Sequence, residues 1–150
     1  MYDIAFVIHV VAALATYVVL ISMRSAALLV ANGADVERQK KRLPNRRNMA
    51  ARIVHILPLT GLMMVFPSTK DVSIGKLWVL VGILCYLAAV GHLEARTLPA
   101  ERELAKALHE HRNVAPAEGK KLVRSLDVVF LILTIAFVAM IVQFLSLIHI

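Results

Sequence analysis

Three histidines and one arginine lie inside long apolar runs of this sequence, where ionisable side chains are costly to bury and are therefore functional candidates. His9 stands near the start of the first run, His55 in the second and His92 in the third, and Arg24 is the only charged residue between Ile4 and Ala31. Neutral imidazole nitrogens are common metal ligands. Because the chain has no phosphate-loop, nucleophile-elbow or metalloprotease motif, metal-centred redox chemistry is better supported than hydrolysis.

The elements that must position these residues are four apolar runs. Of the 150 residues, 59% are hydrophobic, which exceeds the roughly one half that is usual in soluble domains. A helix needs about 20 residues to cross the hydrocarbon core of a bilayer. We therefore predict an all-α membrane protein, a four-helix transmembrane bundle that forms a single domain over 1–150. The predicted spans are 4–31, 49–67, 76–97 and 126–148, and the predicted cytoplasmic loops are 32–48 and 98–125.

The basic residues predict the orientation. The formal net charge is +7. Six Lys or Arg residues lie in 32–48, followed by Arg52 near the start of the second run, and six lie in 98–125, preceded by Arg96 at the end of the third run. Only Lys70 and Lys76 lie between the second and third runs. Positive loops stay in the cytoplasm, so we predict a multi-pass protein of the inner (cytoplasmic) membrane with both termini outside. Its expected partner is the lipid bilayer, whose inner leaflet attracts such loops, and not nucleic acid.

Glycine and proline mark the expected irregularities of the first two runs. Gly33 directly follows the first run and is expected to end its helix in the left-handed conformation. Pro58 lies inside the second run, where a missing backbone N–H favours a kink.

The segment between the last two runs also has helical signals. Pro99 precedes an acidic and apolar stretch that is typical of a helix start, and Pro116 is expected to open a second helix that leads into the last span. We expect short surface helices here, with Leu104 and Leu108 directed at the lipid headgroups.

Two of the histidines are predicted to lie at about the same depth in the membrane. The second and third runs cross in opposite directions, which places His55 and His92 at about the same inner level. Two such histidines on adjacent helices are an arrangement that can hold a b-type haem. Alternatively, His9 is an axial ligand by itself or with another partner. The small residues beside His92 leave room for a flat ring, although they also allow helices to approach closely without any cofactor; they are Cys85, Ala88 and Ala89.

Arg24 has two interpretations. Helical spacing places it roughly on the stripe of the first helix that begins at His9 and continues through Ala13, Thr16 and Leu20. A guanidinium at this level would bind haem propionates in a two-pronged geometry. In the other interpretation, Arg24 forms an ion pair with Asp127 or Glu94.

A few residues carry a resemblance to known families. They are Phe6–His9, Arg24, the stretch Leu57–Gly61, and Gly75–Trp78 with the following His92. With its length and hydropathy, the chain resembles HemJ-type protoporphyrinogen oxidases, CopD-like membrane domains and a family of four-span membrane proteins of unknown function. The HemJ resemblance implies a b-type haem bound by His9 and oxidation of a porphyrinogen. The tryptophan that follows the family's histidine is missing here.

The leading functional expectation is a small membrane protein that binds haem b for a redox or electron-transfer role. The candidate iron ligands are His9, His55 and His92, and Arg24 is the candidate charge partner. If the protein is an enzyme, the class is a haem-dependent oxidoreductase. The alternative is a non-catalytic accessory or scaffold subunit, which would associate with a membrane-protein partner or with a second copy of the chain through its small-residue faces.

Overall fold

Every regular element in the described part of the chain is helical. The structure is a computed structural model that describes residues 2–33, 36–44, 50–65, 75–110 and 116–148. The α-helices are α1 (Tyr2–Ala31), α2 (Val36–Lys40), α3 (Ile56–Val65), α4 (Leu77–His92), α5 (Leu98–His109) and α6 (Pro116–Ile148); a 3-10 segment (Ala50–His55) precedes α3, and a π segment (Leu93–Thr97) joins α4 to α5. The all-α expectation is confirmed for these residues.

Three stretches in the described residues are long and apolar enough to cross a membrane. They are Ile4–Ala31, Leu77–His109 and Pro116–Val142. The predicted second span corresponds to a shorter apolar helix, Ala51–Val65, and its residues 49, 66 and 67 lie outside the described part. The protein therefore has the helices of a membrane protein, and its fourth span stays a prediction.

The helices pack in the order α3, α1, α6 and α4. Extensive contacts join α3 to α1, α1 to α6, and α6 to α4, whereas α3 and α4 make at most marginal contact with each other. Between the two central helices, the ring of Tyr17 lies 5.9 Å from that of Phe130. The arrangement is thus open between α3 and α4.

The molecule has two halves whose surfaces differ in chemistry. We call 4–23, 56–65, 77–91 and 128–142 the apolar half; its outward residues are large and hydrophobic, for example Val18, which is 66% exposed. We call 25–33, 36–44, 98–110 and 116–124 the basic cap; there the leucines are mostly interior, and Leu43, Leu104 and Leu122 are completely buried. An apolar exterior needs a non-aqueous solvent, while a buried leucine core is what water imposes.

The segment 98–125 contains helices that begin beside Pro99 and at Pro116, as predicted, but the surroundings of α5 differ from the expectation. Leu104 and Leu108 are 0% exposed, so the expectation that they contact headgroups is wrong. The apolar positions of α5 recur at helical spacing and face the cap, where they join the protein core. An amphipathic helix near a membrane buries its apolar face in lipid only when no protein surface covers it.

Two prolines coincide with the irregular turns of the helices. Pro58 lies in the first turn of α3, directly after the 3-10 segment, so the expected irregularity is a change of helix type. Pro99 follows the π segment, in which the Leu98 N–H bonds to the carbonyl of Leu93. The ring of a proline clashes with the carbonyl oxygen of the preceding turn of an α-helix. A π turn widens the helix at that position.

Two glycines are required by the backbone. Gly33 has a φ of +74° and ends α1, as expected. Gly119 lies where α6 crosses α1: a Cβ atom on it would be 2.8 Å from the carbonyl oxygen of Ala27 and 2.9 Å from the nitrogen of Ala31. Because both contacts are with backbone, no side-chain rotation can relieve them.

We predict that Gly119→Ala destabilises the protein by about 1–3 kcal/mol, the usual cost of overpacking. Gly91→Ala is the matched control, because a Cβ atom on this helical glycine would meet no neighbouring atom within 4 Å and should gain up to about 1 kcal/mol from helix propensity. Thermal unfolding in mild detergent measures both. If the two variants unfold at the same temperature, the close crossing of α1 and α6 is incorrect.

Candidate functional site

His9 lies on the inner face of α1 and is held by α3. Its Nδ1 is 2.8 Å from the hydroxyl oxygen of Thr60, which is itself buried. The Thr60 hydroxyl donates its proton to the backbone carbonyls of Ile56 and Leu57, each at 3.1 Å. With that proton on the carbonyls, the Thr60 oxygen is the acceptor and His9 Nδ1–H is the donor. This tautomer leaves the lone pair of the ring on Nε2.

Gly61, the next residue of α3, has no side chain that could cover the neighbouring side of the His9 imidazole. A Cβ atom on Gly61 would lie 3.7 Å from His9 Cε1, so the helix backbone passes directly beside the ring. The Leu57–Gly61 stretch is part of the family resemblance, but Thr60 was not identified as a site residue from the sequence. A threonine beside a glycine in an apolar helix is the signal that points to it.

The stripe that continues from His9 along α1 is buried in its middle and half-buried at Ala13 and Arg24. Thr16 and Leu20 are each 1% exposed. The Thr16 hydroxyl donates to the carbonyl of Ala12 in its own helix, which satisfies its polar group without a partner from another helix. His9 is thus at the N-terminal end of this face, and Arg24 is at the end next to the basic cap.

Arg24 pairs with Asp127 across α1 and α6. Arg24 Nε is 2.6 Å from Asp127 Oδ1, and Nη2 is 3.4 Å from Oδ2. Both side chains are partly exposed, at 39% and 48%. Of the two interpretations of Arg24, the ion pair is the one with direct geometric support, because two guanidinium nitrogens are already committed to a carboxylate.

A second ion pair joins the 3-10 segment to the π segment. Arg52 Nη2 is 3.2 Å from Glu94 Oε2, and His55 Nε2 approaches the other oxygen of Glu94 at 3.8 Å. His55 Nδ1 also donates to the carbonyl of Arg52 at 3.0 Å. The gap between α3 and α4 has one end next to the basic cap, and these contacts bridge the gap at that end.

His92 bonds to a different helix. Its Nε2 is 3.0 Å from the Ser125 hydroxyl, which in turn is 2.8 Å from the hydroxyl of Thr97. His55 faces Glu94 and His92 faces α6, so the structure gives the two rings separate partners. Their sharing of one haem stays a prediction without geometric support.

The small-residue face predicted beside His92 is divided between two sides of α4. Ala89 is 1% exposed, whereas Ala88 is exposed. Successive residues of a helix are about 100° apart, which separates these neighbours. Within the described residues, no group of three or more His, Cys, Asp or Glu side chains is arranged to hold a metal ion.

These contacts form a polar layer between the apolar half and the basic cap. We call it the boundary layer, and its members are Arg24, Arg52, His55, His92, Glu94, Thr97, Ser125 and Asp127. His9 with Thr60 is a separate polar group inside the apolar half. Comparison of the chain with protein-family models, with curated proteins and with solved structures gives no match.

We predict that Arg24 and Asp127 are strongly coupled in stability. Either Arg24→Leu or Asp127→Leu should lower the unfolding temperature in mild detergent, because the remaining charge adjoins the apolar half. The double variant should recover much of that loss, with a coupling energy above about 1 kcal/mol in a double-mutant cycle.

The matched control for this cycle is Lys121 with Glu103, a pair at 3.4 Å whose side chains are 67% and 69% exposed. Its coupling should stay below about 0.5 kcal/mol, as is usual in water. Equal coupling energies for the two pairs would contradict the location of the boundary layer at the edge of the apolar half.

Proposed function

We propose that the chain crosses the inner membrane four times, with both termini outside and the basic cap in the cytoplasm. The fourth span would be the 3-10 segment and α3 with the residues that flank them. Basic residues support this orientation, since nearly all those described lie in the boundary layer, in the π segment beside it or in the cap; they are Arg24, Arg38, Lys40, Lys41, Arg42, Arg52, Arg96, Arg102, Lys106, Lys120, Lys121 and Arg124. At the other end, Lys76 is the one described Lys or Arg.

Cysteine labelling tests this topology. In a Cys85→Ala background, Lys76→Cys should react with a membrane-impermeant maleimide in intact spheroplasts, while Lys106→Cys should react only after permeabilisation. Both lysines are exposed, so differences in reactivity report the side of the membrane. Labelling of Lys106→Cys in intact spheroplasts would reverse the proposed orientation.

We propose that the protein binds b-type haem through His9 and serves in electron transfer. The observation that carries this proposal is the hydrogen bond from His9 Nδ1 to Thr60, because a histidine ligand to a metal usually donates its other ring nitrogen to a fixed acceptor. Thr60 thereby directs the free electron pair to Nε2, the atom that would bind iron. The donor chemistry at His9 fits the group.

The partners of Nε2 disfavour His55 and His92 as the pair of ligands, although His55 Nδ1 also donates to a fixed acceptor, the carbonyl of Arg52. His55 Nε2 faces a carboxylate, and His92 Nε2 is bonded to a hydroxyl. Arg24 would act as a charge partner of Asp127, not of a propionate. When bound, haem would supply a one-electron couple, whose potential depends on axial ligation and burial.

The chain would bind the haem through His9 and keep water away from it. Thr60 fixes the ring of His9, and Gly61 keeps side-chain bulk away from it. In the proposed membrane, lipid around α1 and α3 would exclude water from the imidazole, and in such a low-dielectric setting hydrogen bonds are stronger than in water. The boundary layer separates this region from the cap.

We predict that protein purified in mild detergent from haem-replete cells has a b-type reduced-minus-oxidised absorption spectrum. His9→Ala should abolish it, and Thr60→Val should weaken haem affinity about 10- to 100-fold, as is usual when the partner of a ligating histidine is lost. His92→Ala is the control and should retain the spectrum. A spectrum lost in His92→Ala but kept in His9→Ala would contradict the assignment of His9.

The alternative is an accessory or scaffold subunit without a cofactor. Ala88, Gly91 and Ala95 are exposed along α4 and its extension, and small residues at this spacing allow close approach of a second transmembrane helix. A colourless preparation that co-purifies with another membrane protein, and loses it on Gly91→Leu, would favour this function over haem binding.

A further inference from the structure

The face of α6 opposite α1 changes from cationic to hydrophobic along its length. Gly119 contacts α1, and at 3.6 residues per turn the residues about half a turn away from it form one continuous line. In the basic cap this line contains Ala117, Lys120, Lys121 and Arg124, which are all exposed. In the apolar half it continues as Val128 (41% exposed), Leu131 (62%), Ile135 (49%) and Val138 (51%).

A cavity lies at the cationic end of this line. It has a volume of about 280 Å³ and is lined by Ala117, Lys120, Lys121 and Arg124. This size is close to the lower end, roughly 300 Å³, for small-molecule sites. The lining consists of three cationic side chains and one alanine. The space between them can hold an anionic group.

Nearby acids do not neutralise the cations. Asp127 is engaged by Arg24. Lys121 is 3.4 Å from Glu103, but both side chains are exposed, and such pairs contribute little in water. Lys120 and Arg124 have no ion-pair partner among the described residues. The cavity is open to the surface, and its three cations outnumber the two remaining nearby acids, Glu103 and Glu118.

The depth of the cavity places Arg124 in the headgroup layer of the proposed membrane and the two lysines just beyond it. On α6 the boundary layer comprises Ser125 and Asp127; measured from Asp127 along the axis, Arg124 lies at about 4.5 Å, Lys121 at about 9 Å and Lys120 at about 10.5 Å. The polar headgroup region extends about 5–7 Å beyond the hydrocarbon on each side. Flexible lysine side chains can reach back toward that layer.

We propose that this cavity binds the phosphate headgroup of an anionic phospholipid, whose acyl chains lie along the hydrophobic line of α6. The cations supply charge complementarity to the phosphate, and Val128, Leu131, Ile135 and Val138 supply the apolar contact. The lipid belongs to the cytoplasmic leaflet if the proposed topology is correct. The site itself requires neither that orientation nor haem at His9.

Native mass spectrometry of the full-length protein in detergent tests the proposal. The probes are dioleoyl phosphatidylglycerol, dioleoyl phosphatidylcholine and inorganic phosphate. Each cation near a membrane surface raises the affinity for anionic lipid about fivefold. With three cations, phosphatidylglycerol should bind on the order of tenfold to a hundredfold more tightly than phosphatidylcholine. The variant Lys120→Gln/Lys121→Gln/Arg124→Gln should lose that preference.

The matched control is Lys41→Gln/Arg102→Gln/Lys106→Gln, which removes the same charge from exposed positions outside the cavity. It should change the preference less than about twofold. An equal loss in both triple variants would overturn the site in favour of a diffuse electrostatic field, and no loss in either would also overturn it. Circular dichroism and gel filtration establish that each variant is folded.

Inorganic phosphate distinguishes a lipid from a free anion. Millimolar phosphate should leave phosphatidylglycerol bound, since it lacks the acyl chains that contact the hydrophobic line. Complete displacement at that concentration would assign the cavity to a soluble phosphate group and overturn the lipid proposal. Leu131→Ser/Ile135→Ser should lower phosphatidylglycerol binding while leaving phosphate binding unchanged.

Discussion

The structure depends on a change of solvent partway along its helices. On one side of the boundary layer the outward residues are large and hydrophobic, and on the other side leucines are the buried core. The long helices α1 and α6 continue through this change without a break, so the ion pair between Arg24 and Asp127 joins them at the level where hydrocarbon would give way to water. Charged groups at this level are stable because they satisfy each other and because headgroups and water are within reach.

The boundary layer also explains the irregular turns of the chain. The π segment carries Glu94 and Thr97, which contact Arg52 and Ser125, and the 3-10 segment carries Arg52 and His55. The cap core adjoins this segment, so a helix that changes its winding here can direct polar side chains to two neighbouring elements, the 3-10 segment and α6, while its ends remain packed. Pro58 and Pro99 favour these departures from α-helical geometry.

His9 is a histidine inside the apolar half, and hydrogen bonds to α3 offset the free-energy cost of placing it there. Thr60 supplies the acceptor for Nδ1, and the carbonyls of α3 accept the proton of Thr60. A polar side chain that is fixed in this way has one tautomer and one reactive nitrogen, which is what a metal ligand requires. The cationic cavity on α6 lies on the outer surface of the bundle, next to exposed hydrophobic residues of the same helix. In the proposed complex, the cations would contact the lipid headgroup and the hydrophobic residues would contact the acyl chains.

The sequence by itself determined the helical class, the apolar runs and the concentration of positive charge at one end, because hydropathy and loop charge are properties of composition along the chain. It also predicted the left-handed Gly33 and the choice of acidic partners for Arg24. Only the tertiary structure decided that Asp127 is that partner, that Leu104 and Leu108 enter a protein core, that Ala88 faces outward, and that His9 meets Thr60. These facts depend on how each helix is rotated and which helix lies beside it, and periodicity within one helix does not fix either.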